Sequence, residues 1–160
     1  TTYRLAWSSH PSANYYKHEY LPKGENADKF KSMILMEILT GNGEAKELAA
    51  AKAEELKKMK AANPVINYNA FNNPSTGEYM IDFLLTANNP DGSMSIVERN
   101  VYRYKNFTDK SGQRGVLLFA VSSRAYDAGI DNFFASLKKN KKDLVDKVAQ
   151  FKIPTITLKK

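Results

Sequence analysis

No cysteine occurs anywhere in these 160 residues. That absence removes disulfides, thiolate zinc sites and a cysteine nucleophile together. Histidine is almost as scarce, with His10 and His18 the only two. They flank a hairpin loop and match no metal-ligand spacing, and the strand alternation sends His18 and Glu19 to opposite faces. No metal and no cofactor is therefore expected. Long apolar runs are missing too. The longest, "MILMEIL" and "GVLLFAV", are strand-length, far short of the roughly 20 residues that span a bilayer.

The motifs of common chemistries are also absent. Neither G-x-x-x-x-G-K-[ST] nor G-x-G-x-x-G occurs, which removes the familiar phosphate cradles. "GNG" at 41–43 precedes a helix, but Glu44 and Glu47 already complement its dipole and leave no need for an anion. No serine lies in a G-x-S-x-G elbow. Ser8 and Ser9 adjoin His10, yet adjacency in sequence is not triad geometry. Most acids sit on a helix or in turns, where solvation and capping explain them. Glu37 interrupts an apolar run and reads as a residue at a sheet edge or end. Glu98 alternates away from Arg99 on one strand, so each is expected to pair across to a neighbouring strand.

What is present is a soluble-type balance: 42% hydrophobic and 26% charged residues, ordinary for a single globular domain. The net charge is +7, and its distribution is uneven. From Lys138 to Lys160 eight lysines face only Asp143 and Asp146. The remainder of the chain is close to neutral, so 138–160 reads as a lysine-rich C-terminal extension of one α+β domain. The chain opens on Thr1 rather than methionine. A cleaved signal peptide or lipoprotein leader accounts for this, as does a trimmed expression product.

Alternation organises the rest. Tyr3, Leu5 and Trp7 share one strand face, and Tyr16, His18 and Tyr20 share another, which together predict an N-terminal hairpin. After the turn "PKGE", Asn26 is a suitable N-cap, and a short helix is expected from Lys29 before a strand near Met33. Residues 44–62, rich in Glu, Ala and Lys, predict a long helix. Its thin stripe of Leu48, Lys52, Leu56 and Met59, with Ala45 and Ala49 alongside, suits a sheet surface. Three turn sequences, "NNPSTG", "NNPDG" and "TDKSGQRG", separate four strands and predict an antiparallel meander. A C-terminal helix carries Tyr126, Ile130, Phe133, Phe134 and Leu137 on one face. Asn140 divides it from a second helix over 141–151. The expected fold is thus α+β, with the hairpin and a four-stranded meander flanked by a long middle helix and C-terminal helices.

The order carried by "YYKHEYLPKGENADKFKSMILMEIL", the helix from Glu44 and the meander closing in "GVLLFAVSS" before "AYDAGIDNFFASL" resembles the PsbP-like proteins. That family includes small exported bacterial proteins and lipoproteins. The resemblance implies a non-enzymatic binding or assembly role, outside the cytoplasm, for instance in the periplasm. It carries over no functional residues, and the lysine-rich end departs from it.

Three functional expectations follow. The first is binding of a protein partner or small ligand through aromatic strand positions Trp7, Tyr16, His18, Tyr20, Tyr79, Tyr102 and Tyr104. Such side chains give contact area at low entropic cost. The second is a basic module using Lys138, Lys139, Lys141, Lys142 and Lys147 on nucleic acid or another anionic partner. The third is a small hydrolase built on His10 or His18.

Overall fold

The computed structural model describes residues 1–159. Three strands come first: β1 (Tyr3–Ser12), β2 (Tyr15–Pro22) and β3 (Ser32–Thr40). Helix α1 (Ala45–Ala62) follows, then β4 (Asn67–Asn73), β5 (Glu78–Asn88), β6 (Met94–Thr108) and β7 (Arg114–Tyr126). A 3-10 turn at Asp127–Gly129 leads into α2 (Ile130–Gln150). All of these strands form one antiparallel sheet in the order β1-β2-β3-β7-β6-β5-β4.

This order corrects the expected architecture. Hairpin and meander are not separate parts framed by helices. β3 pairs with β7 from Ser32↔Ser123 to Thr40↔Gly115, which fuses them into a seven-stranded sheet. Strand makes up 46% of the chain and helix 26%, so the sheet is the body and the helices cover it. The reason is physical: alternation reveals which residues of one strand share a face, but not which distant strand lies beside it. The β3–β7 seam joins segments about 80 residues apart and leaves no local signal.

A second correction concerns residues 23–31. No helix forms there. Asn26 does accept from the backbone N–H groups of Asp28 (3.0 Å) and Lys29 (2.9 Å), but the chain turns instead of coiling. Phe30 is buried with Leu21 and Met33. Its N–H donates to the Tyr126 hydroxyl (3.1 Å), which in turn donates to the Phe30 carbonyl (2.9 Å). Those long-range bonds satisfy the backbone groups that a helix would have paired.

α1 lies on one face of the sheet. Its Ala45, Ala49 and Leu56 are buried against Ile81, Phe83, Val116 and Leu118. Small side chains at 45 and 49 let the helix axis approach the strands. The start is fixed by a capping box between Glu44 and Glu47. Asn106 on β6 reinforces it by accepting from Ala45 N–H (2.7 Å) and donating to Glu44 (2.7 Å). These side chains occupy the helix N-terminus, where an anion would otherwise bind.

α2 and the extended tail 151–159 cover the opposite face. Val148, Leu144 and Val145 pack with Ile38, Met80, Val101, Leu117 and Phe119, and Ile153, Ile156 and Leu158 continue the layer. Asn140 leaves helical geometry (φ −124°, ψ 31°), so α2 is two helical pieces joined at a kink. Two buried arginines of β6 hold them down. Arg99 makes a double hydrogen bond to Asp82 (3.0 and 2.9 Å) and donates to the Lys141 carbonyl (2.6 Å), just past the kink. Arg103 does the same with Glu78 (2.8 and 2.9 Å) and donates to the carbonyls of Val148 (3.1 Å) and Phe151 (2.8 Å). Glu98 pairs with Arg124 of β7.

Candidate functional site

The sheet separates the expected aromatic face into two. By register, Tyr79, Tyr102 and Tyr104 lie on the α1 side: Tyr79 faces Tyr104 and Ile81 faces Tyr102 across β5 and β6. Tyr16, His18 and Tyr20 pair with Ile38, Met36 and Ile34, which places them on the α2 side. Trp7 stands apart on the edge strand β1, 45% exposed, with the Lys17 ammonium 5.8 Å from its ring. The seven residues therefore do not form one surface.

On the α2 side, Tyr16, His18 and Tyr20 border a groove of about 420 Å³ that also touches Met36, Ile38 and the tail residues Ile156 and Leu158. His18 is exposed, and its Nδ1 lies 3.3 Å from the Tyr20 hydroxyl. His10 stacks on Tyr16 at 4.1 Å and bonds the Tyr15 carbonyl through Nδ1 at 2.8 Å. Each histidine thus has a local structural partner, and no described group of three His, Asp or Glu residues could hold a metal ion.

The five lysines, Lys138, Lys139, Lys141, Lys142 and Lys147, are all exposed on α2. No single cavity collects them. Lys138 and Lys141 border one cleft beside Phe134 and Leu137, and Lys147 borders another beside Asp143.

The arrangement with most chemistry lies on the α1 side. A cleft of about 360 Å³ opens between α1 and the strands β2, β3, β6 and β7. Tyr102 and Tyr104 of β6 wall it, with their rings 6.1 Å apart and edge to face. Tyr15 and Glu37 come from β2 and β3, and Lys52 and Glu55 from one turn of α1. Glu37 is neither at an edge nor at an end of the sheet. It sits mid-strand on β3, opposite Leu118 of β7 and Lys17 of β2. Its side chain is 19% exposed, and its carboxylate lies 3.6 Å from the Lys17 ammonium. The Lys52 ammonium lies 5.2 Å from the ring centre of Phe83 and 5.5 Å from that of Tyr102. It also bonds Glu55 at 3.3 Å.

Electrostatics agree with the geometry. Tyr102 and Tyr104 are held well above the ordinary phenol range, chiefly by burial. The negative charges of Glu37 and Glu55 add to the effect in both, with Glu98 acting on Tyr102 and the neighbouring Tyr102 on Tyr104. Tyr15 is raised by burial and then by the Glu37 carboxylate beside it. All three phenols stay neutral at any physiological pH.

A pH dependence follows. Above about pH 10 tyrosines ionise in the unfolded chain while Tyr102 and Tyr104 keep their protons in the native one. The native state then binds more protons, so stability falls as pH rises, by up to about 1.4 kcal/mol per pH unit for each residue. Below that pH the contribution is fully present. Tyr102→Phe is expected to flatten the decline in urea unfolding between about pH 10 and about pH 12, and to leave it unchanged below about pH 9. An unchanged slope would count against the assignment.

Tyr102 and Tyr104 were expected binding residues and do wall this cleft, and two further cleft residues carried a signal in the sequence. Lys52 is a charge within an otherwise apolar helix stripe, and Glu37 a charge within an apolar strand. Each alone has a bland explanation. Only the fold brings them to the same cleft. Tyr15 and Glu55 carried no signal, because Tyr15 reads as an ordinary strand position and Glu55 as a solvated helix residue.

Fold and cleft together define an α+β protein in which one antiparallel sheet, covered by a helix on each side, presents an aromatic and acidic cleft. A family model matches residues 1–153, and the chain belongs to that family, which is uncharacterised. No curated protein matches it. No helix among the described residues is long and apolar enough to cross a membrane.

Proposed function

We propose that this chain is a non-enzymatic binding protein that works outside the cytoplasm, as the resemblance to PsbP-like exported proteins implies. It holds a small ligand in the cleft beneath α1. The observation that carries this reading is the composition of that cleft. Tyr15, Tyr102 and Tyr104 offer ring surface and neutral hydroxyls, Glu37 and Glu55 offer carboxylates, and Leu48 and Leu118 supply apolar walls. A concave, mostly apolar site with few converging polar groups is the usual form of a ligand pocket, and about 360 Å³ suits a small molecule.

Ala51 lines the cleft mouth and is exposed on α1. Ala51→Trp should therefore fill the cleft with little effect on folding, because tryptophan in a helix costs well under about 1 kcal/mol. Incubation with the small-molecule fraction of a cell extract, followed by native mass spectrometry, is expected to give a compound retained by the wild type and lost from Ala51→Trp. Retention by neither protein, or equal retention by both, would remove the cleft as the binding site.

A further inference from the structure

We propose that the ligand of this cleft is a small organic cation bearing an ammonium group; the inference rests on the binding role proposed above. An ammonium needs three things from a protein: a negative field, aromatic faces and oxygen acceptors. The cleft has all three. Glu37 and Glu55 supply the field from opposite walls, one on the sheet and one on the helix. The same two carboxylates help hold the Tyr102 and Tyr104 protons in place, so their field reaches the cleft interior.

The protein also contains its own example of the interaction. Lys52 places an ammonium over the rings of Phe83 and Tyr102 and against Glu55. That cation is tethered to α1 and takes the helix side of the cleft. The sheet side keeps Glu37, Tyr15 and Tyr104. The Lys17 ammonium contacts Glu37 only at 3.6 Å, and a carboxylate has about four lone-pair sites, so a second cation can be accommodated. The Lys17 and Lys52 ammoniums are already committed to Glu37 and Glu55, so an anion would have to compete with those carboxylates for them. Aromatic faces and spare carboxylate lone pairs favour a positive ligand over a carboxylate or phosphate.

The test uses choline and putrescine as probes, 3,3-dimethylbutan-1-ol as the uncharged shape match of choline, and acetate as the anion. Binding is read from NMR shifts of the cleft tyrosines at low salt. At least one amine is expected to move Tyr104 and Tyr15, while the alcohol and acetate do not. Glu37→Gln should weaken the amine about tenfold or more, the scale of losing one close charge pair. Glu55→Gln, on an exposed helix position, gives a second variant that folding cannot confound. Lys52→Met removes the competing internal cation and should tighten the amine several-fold, an effect a purely structural lysine would not produce. Equal shifts by the alcohol and choline would overturn the cation assignment while leaving a ligand cleft. Shifts by neither amine, in the wild type or in Lys52→Met, would also overturn it, and the Ala51→Trp retention experiment then decides separately whether the cleft binds anything.

Discussion

Arg103→Ala is expected to lower the unfolding free energy by about 3–5 kcal/mol, the scale for breaking a buried ion pair. Arg103 and Glu78 have side chains only 9% and 10% exposed. Removing the guanidinium leaves the Glu78 carboxylate buried without its counter-charge. It also strands the carbonyls of Val148 and Phe151, which accept from Arg103 at the end of α2. An α-helix always ends with unpaired carbonyls. Here a side chain from the sheet supplies the donors that water or a glycine cap would otherwise provide. Chemical denaturation would measure the loss directly.

The double variant Arg103→Met/Glu78→Leu separates the two roles. A buried pair replaced by apolar residues of similar volume is often neutral for stability. If ion pairing were the whole contribution, the double variant would recover nearly all of the lost stability. The helix carbonyls remain stranded in it, however, so only partial recovery is expected. Hydrogen exchange should show the residual loss in the last turn of α2 and in the tail, with β5 and β6 still protected. Full recovery would mean that Arg103 does not anchor the helix.

How much of this was legible in the sequence depends on the range of the interaction. The strands and turns from β4 to β7, the α1 segment and the break at Asn140 carry local signals: alternation, Asn-Pro-Asp-Gly chemistry, Glu-Ala-Lys composition and a lone asparagine between two apolar stripes. Arg99 and Glu98 were legible as cross-strand partners because a charge within a strand needs one. The sheet order was not legible, since it depends on the pairing of β3 with β7. The helix expected near Lys29 failed for a related reason. Asn26 makes the same side-chain bonds at an Asx turn as at a helix start, and only Tyr126, 96 residues from Phe30 in sequence, decides between them. The candidate site suffered from parity. Tyr16 and Tyr104 both lie on alternating strands, but nothing local says that they point to opposite faces. The sequence therefore groups Tyr102 and Tyr104 with aromatic residues of the other face, and Glu37 and Lys52 stand only as isolated anomalies.

The seam that joins the two halves of the sheet yields the other large effect. Gly115→Ala is expected to cost about 1–3 kcal/mol, the usual scale for forcing an extra group into packed structure, and Gly115→Val more. A Cβ at 115 would stand 2.6 Å from the Leu39 carbonyl oxygen and 2.7 Å from the Phe107 ring. The ring can turn aside, but the carbonyl belongs to the β3 backbone where Thr40 pairs with Gly115. Relief thus requires β3 and β7 to part at this end. Phe107 pairs with Gly115 from the other side and covers the space that the missing side chain leaves, a role aromatic residues often take over a strand glycine. Gly43→Ala is the control, because its Cβ would meet only Leu48 at an ordinary 3.6 Å. For a domain of this size each kcal/mol shifts the melting temperature by about 2–4 °C. A fall of several degrees is expected for Gly115→Ala and almost none for Gly43→Ala. Early loss of hydrogen-exchange protection in β1 to β3, with β5 and β6 retained, would locate the damage at the seam. Equal melting temperatures for the two variants would mean that β3 and β7 are not held this closely.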